Sequence, residues 1–196
     1  VVSPTDRRYL ERAHPGQPVV QIPVSITSLG ESDSPSQNSK LRSGCDGGSR
    51  PRALIFLDLR VPHLYASFEL LVKRCLLPLE SAGLSIQYTV LGRVHADERL
   101  ESLCKDLDME FVVWVDDFRE ALAEFDFVIL PDQVGTGLKT RAVHVLAAGC
   151  AAIGTSFAFE GIDLESGQHA VVADSWLKWQ EGIRQLATDN DLRGRL

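Results

Sequence analysis

Basic charge is in short supply: 20 Lys and Arg stand against 27 Asp and Glu, giving a net charge of −7. A non-specific nucleic-acid or anionic-membrane binder is normally basic, so both classes are disfavoured. Long apolar runs are missing too. The longest, around Val145 to Ile153, is broken by Gly149 and falls far short of a membrane span. Cysteine is sparse, with four residues at 45, 75, 104 and 150 and no pair spaced as CxxC. Three of the four lie in apolar surroundings, as small buried hydrophobes do. This argues for a reducing, cytosolic compartment and against a metal site. His14, His63, His95 and His169 are scattered without ligand spacing. There is no nucleophile elbow, Ser-His-Asp set, Walker A loop or GxGxxG fingerprint. No basic segment followed by an apolar one opens the chain, so no signal peptide is visible. Methionine occurs once, at Met109, and the chain begins at Val1, which suggests a piece of a longer protein.

What is present is a soluble globular composition, 44% hydrophobic and 24% charged over 196 residues, enough for one domain with an extension. Residues 1–26 carry short signals. Ser3-Pro4-Thr5-Asp6 before Arg7-Arg8-Tyr9-Leu10 reads as a capped helical turn, and Val19 to Val24 as a short strand. Residues 27–52 hold seven Ser, four Gly and two Pro and read as a flexible loop. From Ala53 the pattern becomes regular. Continuous apolar strands are expected at 53–57, 85–91, 111–115, 127–131, 150–155 and 169–173. Helices are expected at 64–78, 96–107, 118–124, 138–148 and 176–188. Fully apolar strands alternating with helices predict an open, doubly wound parallel α/β sheet covered on both faces, Rossmann-like, over residues 53–196. Such sheets bind ligands outside the carboxyl ends of their strands.

The most informative stretch runs from Pro131 to His144. A strand ends, Gly135-Thr136-Gly137 makes a turn, and a helix begins near Leu138. That helix is expected to bury Leu138, Ala142, Val145 and Leu146. Thr140, Arg141 and His144 lie on its other face, with Lys139 to one side. Two cations in a first turn oppose the helix dipole, at about 0.3–1 kcal/mol each. A bound anion would resolve the conflict: helix N–H groups, a glycine turn and two cationic side chains together make a phosphate site. The alternative is two solvated surface cations. His144 either hydrogen-bonds ligand hydroxyls or lies on the surface. Phe157 and Phe159, after the fifth strand, either wall a base or sugar or belong to the core. Asp116-Asp117 reads as a helix cap.

The order of these segments resembles the C-terminal, nucleotide-sugar-binding half of GT-B glycosyltransferases of the group-one kind. Residues 1–26 are similar to that family's interdomain crossing, and Val90-Leu91-Gly92 and Val115-Asp116-Asp117 to its next strand ends. The best match runs from Gly135-Thr136-Gly137-Leu138-Lys139-Thr140-Arg141 through Leu146-Ala147-Ala148-Gly149, followed by Glu160-Gly161-Ile162 and Val171-Val172-Ala173-Asp174. The resemblance implies transfer of a sugar from a nucleotide diphosphate donor to an acceptor hydroxyl. It implies neither cofactor nor metal, and an acceptor-binding N-terminal half on the parent chain. By resemblance Gly135, Thr136 and Gly137 approach the donor phosphates, Lys139 and Arg141 offset their charge, position 144 holds the ribose, and Glu160 belongs to the donor site.

Three positions depart from the family pattern. His144 stands where the family has a ribose-binding Glu, and Thr136 where many relatives carry an earlier Glu. Asp58 stands where the first strand usually ends in Gly, and a carboxylate there would repel a diphosphate. They favour a second hypothesis, a catalytically degenerate module acting as an interaction or scaffold domain. A sugar-nucleotide epimerase on the same fold fits the pattern less well. The donor-binding hypothesis predicts that these residues alone do not turn over.

Overall fold

A computed structural model describes residues 4–16, 18–19, 50–95, 97–135 and 137–196. Most of the strand expected over 19–24 and of the loop expected over 27–52 lies outside them. The first helix, α1, is Pro4–Ala13, and Ser3 of the expected capping signal lies outside the described residues. From Arg52 strands and helices alternate: β1 (Arg52–Phe56), α2 (Pro62–Leu71), a π-helical turn (Val72–Leu76), α3 (Leu77–Ser81), β2 (Gln87–Leu91) and α4 (Glu98–Cys104). Then come β3 (Met109–Val112), α5 (Phe118–Leu122), β4 (Phe127–Leu130), α6 (Thr140–Ala147), β5 (Ala152–Gly154), β6 (Val171–Val172), α7 (Trp176–Thr188) and α8 (Asn190–Arg195). Every neighbouring strand pair is parallel, in the order β3-β2-β1-β4-β5-β6. This is the doubly wound sheet that the alternation predicts.

Strand side chains point alternately to two faces, so each central strand feeds two cores. Ala53, Ile55, Phe127, Ile129 and Ile153 join one core, with Phe68, Leu71, Cys75, Trp179 and Ile183 from the helices. Leu54, Val128, Leu130 and Ala152 join the other, with Leu122, Ala142 and Val145. Asp97, Asp117 and Ser175 cap α4, α5 and α7 by accepting from Leu100 N, from Arg119 N and Glu120 N, and from Lys178 N.

Two departures from the expected elements have physical causes. Pro78 lacks an N–H, and in an α-helix its ring would collide with the carbonyl four residues back, that of Arg74. The helix widens there: Leu77 N donates to Val72 O, five residues back. The Arg74 carbonyl is met by Gln180 Nε2 at 2.7 Å. The third strand is Met109–Val112 rather than 111–115. It lies at the sheet edge, its ladder with β2 ends at Val112, and Val113 and Trp114 are exposed. Among the described residues no helix is long and apolar enough to cross a membrane.

Candidate functional site

The strand order reverses between β1 and β4, so the connections leaving these two strands run to opposite sides and open a crevice at their carboxyl ends. On the β1 side it is bounded by Leu57 to Val61 and the start of α2, and on the β4 side by Pro131 to Lys139. The two sides touch: Ser67 Oγ, buried on α2, donates to His63 O at 2.9 Å and accepts from Gln133 N at 3.4 Å. Loops after β4, β5 and β6 are joined as well. Thr155 Oγ1 donates to the Asp132 carbonyl and accepts from Ala158 N at 3.0 Å, and Asp174 Oδ1 accepts from Ser156 N at 2.8 Å.

Gly135 and Gly137 have φ of 126° and 74°, values that favour glycine. Thr136 lies outside the described residues. The helix begins two residues later than expected, at Thr140, with Lys139 as N-cap, no side-chain cap and no acidic residue in its first turn. Ala142 and Val145 are buried, while Thr140 and His144 are exposed. Arg141 is not a solvated cation on the outer face. It donates through Nη2 to Asp132 Oδ1, and that Asp132 side chain is 2% exposed. Lys139 is not solvated either. It folds back over its own turn, donates to the Gly137 carbonyl at 2.7 Å, and faces Glu160 Oε2 at 3.9 Å. The two cations that oppose the helix dipole are thus each met by a carboxylate of the protein.

Those pairs leave polar atoms without partners. Asp132 Oδ2, Arg141 Nε and Glu160 Oε2 are buried and make no hydrogen bond. An unpartnered buried donor or acceptor costs about 1–3 kcal/mol, so three gathered at one place mark a polar site.

Asp58 sits on the β1 side of the crevice, and its charge is not left bare. Arg60 donates to it through N at 3.1 Å, Nε at 3.2 Å and Nη2 at 3.1 Å, and Arg93 through Nε at 3.0 Å. The side-chain hydrogen bond from Arg60, with the Arg93 charge beside it, holds the Asp58 carboxyl down at about 2. Two guanidiniums on one carboxylate leave the corner net positive, which answers the repulsion expected from Asp58 alone. Gly92 brings the β2 end against the β1 end: a Cβ there would lie 2.1 Å from Leu57 O.

No family model matches the sequence, and no curated protein sequence does either. Solved structures are similar to it. A mutant of S. aureus TarM, in complex with fondaparinux, α-GlcNAc-glycerol and UDP, aligns at TM-score 0.74 and 10% identity over 100% of this chain and 38% of that one. WaaG, a glycosyltransferase involved in lipopolysaccharide biosynthesis, aligns at TM-score 0.68 and 14% identity over 98% of this chain and 54% of that one. The C-terminal domain of a glycosyl transferase group 1 family protein, LpcC, from Francisella tularensis aligns at TM-score 0.54 and 14% identity, over 76% of this chain and 80% of that one. The fold is that of a GT-B glycosyltransferase C-terminal domain. The chain spans less than two thirds of the TarM and WaaG chains.

Of the expected site residues, Gly135, Gly137, Lys139, Arg141 and Glu160 lie around the start of α6, with Lys139 and Glu160 brought together from two loops. His144 is exposed on the same helix. The two aromatic candidates separate: Phe159 is buried against Gly154, whereas Phe157 is exposed beside the strand ends. Sequence reasoning missed Asp132, Arg60 and Arg93. Asp132 directly follows the strand-ending Pro131, and a carboxylate at a strand end beside a cationic helix start was the available signal. Burial pushes the Cys75 thiol up to about 12 and the Cys104 thiol to about 11, so neither is a thiolate near neutrality. Among the described residues no group of three or more His, Cys, Asp or Glu side chains could hold a metal ion. An open cavity of about 330 Å³ between β6 and α7 includes none of the expected site residues.

Proposed function

We propose that this GT-B domain binds the nucleotide-diphosphate sugar donor of a glycosyltransferase. The donor would lie in the crevice at the ends of β1 and β4, and its sugar would pass to an acceptor hydroxyl held by an N-terminal half. The gathering of three unpartnered buried polar atoms around the start of α6 is the observation that carries this reading. The GT-B fold and the UDP held by the TarM mutant support it. In this reading the Gly135–Gly137 turn lets the diphosphate approach the backbone. Arg141, oriented by Asp132, and Lys139 stabilise the negative charge that develops on the departing nucleotide diphosphate. His144 contributes one hydrogen bond to a ribose hydroxyl, where a carboxylate would hold two. In this reading the acceptor is held by the N-terminal half, so the chain by itself is expected to bind donor without turnover.

A second reading, a degenerate interaction module, is favoured by one observation: Lys139 and Arg141 are already countered by Glu160 and Asp132. Thermal unfolding with UDP, GDP, ADP and their sugar conjugates separates the two. A ligand at 100 times its Kd adds about 2.7 kcal/mol, which for a chain of this size raises Tm by roughly 5–10 °C. A shift with one base supports donor binding and names the nucleotide. A flat panel over a cooperative melt supports the interaction module.

A further inference from the structure

The two carboxylates at this site are held differently. Asp132 is fixed: its side chain is 2% exposed and is bonded to Arg141, and its backbone carbonyl takes the Thr155 hydroxyl. Glu160 is loosely held. It lies on the loop after β5, and its Oε2 is 3.9 Å from Lys139 Nζ, beyond hydrogen-bond reach. That oxygen is buried without any hydrogen-bond partner. Lys139 already donates to the Gly137 carbonyl, so two of its three ammonium protons remain for another acceptor. Both side chains are largely covered, 12% exposed for Lys139 and 18% for Glu160, so water screens their mutual field poorly.

We propose that Glu160 is a resident stand-in for the ligand's anion: it supplies the negative charge at Lys139 in the free protein and is exchanged for a phosphate group on binding. The inference rests on the diphosphate reading above and assigns Glu160 a role opposite to attraction. A carboxylate here competes with the phosphate for Lys139 and repels it. Affinity for a diphosphate is therefore set below what the site's cations would give alone, and the penalty is removed when Glu160 turns away or loses its charge. Glu160 thus tunes how readily the site fills and empties, which favours release of a spent nucleotide diphosphate as much as capture of the donor.

The test uses isothermal titration of UDP and of inorganic pyrophosphate into the 196-residue chain, its Glu160→Gln variant, Lys139→Met, and the double variant, each checked by a thermal melt. Glutamine keeps the shape of glutamate and removes the charge. The expected result is about tenfold tighter binding of both probes to Glu160→Gln, equivalent to 1.4 kcal/mol. The gain should disappear when Lys139→Met is the background, because the exchange then has no cation to compete for. Binding to Glu160→Gln that equals or falls below that of the unaltered chain overturns the exchange and leaves the donor reading standing. Absence of binding in all four proteins, each folded, overturns both.

Discussion

Arg141→Met removes the guanidinium from a carboxylate that has almost no access to water. Asp132 is 2% exposed and Arg141 21%, so the acid is enclosed while its partner is partly wet. Removing one member of a buried pair costs about 3–5 kcal/mol, because the charge left behind cannot be resolvated. The exposure of Arg141 places the expected loss near the lower end, about 3 kcal/mol. For a chain of about 200 residues each kcal/mol is worth roughly 2–4 °C, so Tm should fall by roughly 6–12 °C. Asp132→Asn combined with Arg141→Met removes both charges and should recover most of that loss, leaving the smaller cost of a buried amide. The assay is thermal and urea unfolding followed by far-ultraviolet circular dichroism at pH 7. A single variant that melts within about 2 °C of the unaltered chain, or a double variant no more stable than the single one, would refute the reasoning. The outcome also governs ligand experiments: lost nucleotide binding in an Arg141 variant speaks to ligand contact only where the melt shows the fold intact.

Two further expectations concern the β1 side of the crevice. Gly92→Ala places a Cβ 2.1 Å from Leu57 O at a residue with φ of 144°, so backbone must move. A cost of about 2–3 kcal/mol is expected, read as a lower urea midpoint. Asp58 is held at about 2 when folded, against an ordinary value of 3.8. Its contribution is therefore complete above about pH 4 and is lost as pH falls from there toward 2. Asp58→Asn should flatten that limb of the stability profile in acid unfolding, and an unchanged limb would show that Arg60 and Arg93 contribute nothing through this carboxylate.

The fold was legible because it is written in short-range pattern. Apolar runs such as Ala53 to Leu57 and Phe127 to Leu130, separated by amphipathic helices, leave little choice but a parallel sheet with two covered faces. Capping was legible for the same reason, since Asp117 acts on Arg119 and Glu120 directly after it. The π turn was not read, although Pro78 announces it, because its compensation comes from Gln180 on a distant helix. The start of α6 was read as a cationic N-terminus in want of an anion. Residue types and spacing brought Lys139 and Arg141 to that start, and the family resemblance added Glu160, which the structure sets 3.9 Å from Lys139. What the pattern could not carry is which carboxylate meets which cation. Asp132 reaches Arg141 across a loop of nine positions, and Glu160 reaches Lys139 from beyond the next strand. Such pairings depend on how the strand ends are juxtaposed, and local sequence is silent on that.

The widened turn at Val72–Leu76 can be regarded as one residue more than an α-helix needs. Each helical residue advances the face by about 100°. The wide turn takes up that advance, so the helix beyond it keeps its face to the sheet and Leu79 stays in the core at 1% exposed. Pro78 leaves one carbonyl without a donor from its own helix, and Gln180 supplies that donor from α7. The break in the helix thus becomes a point of attachment, a bond to a second helix for which an unbroken helix would offer no acceptor.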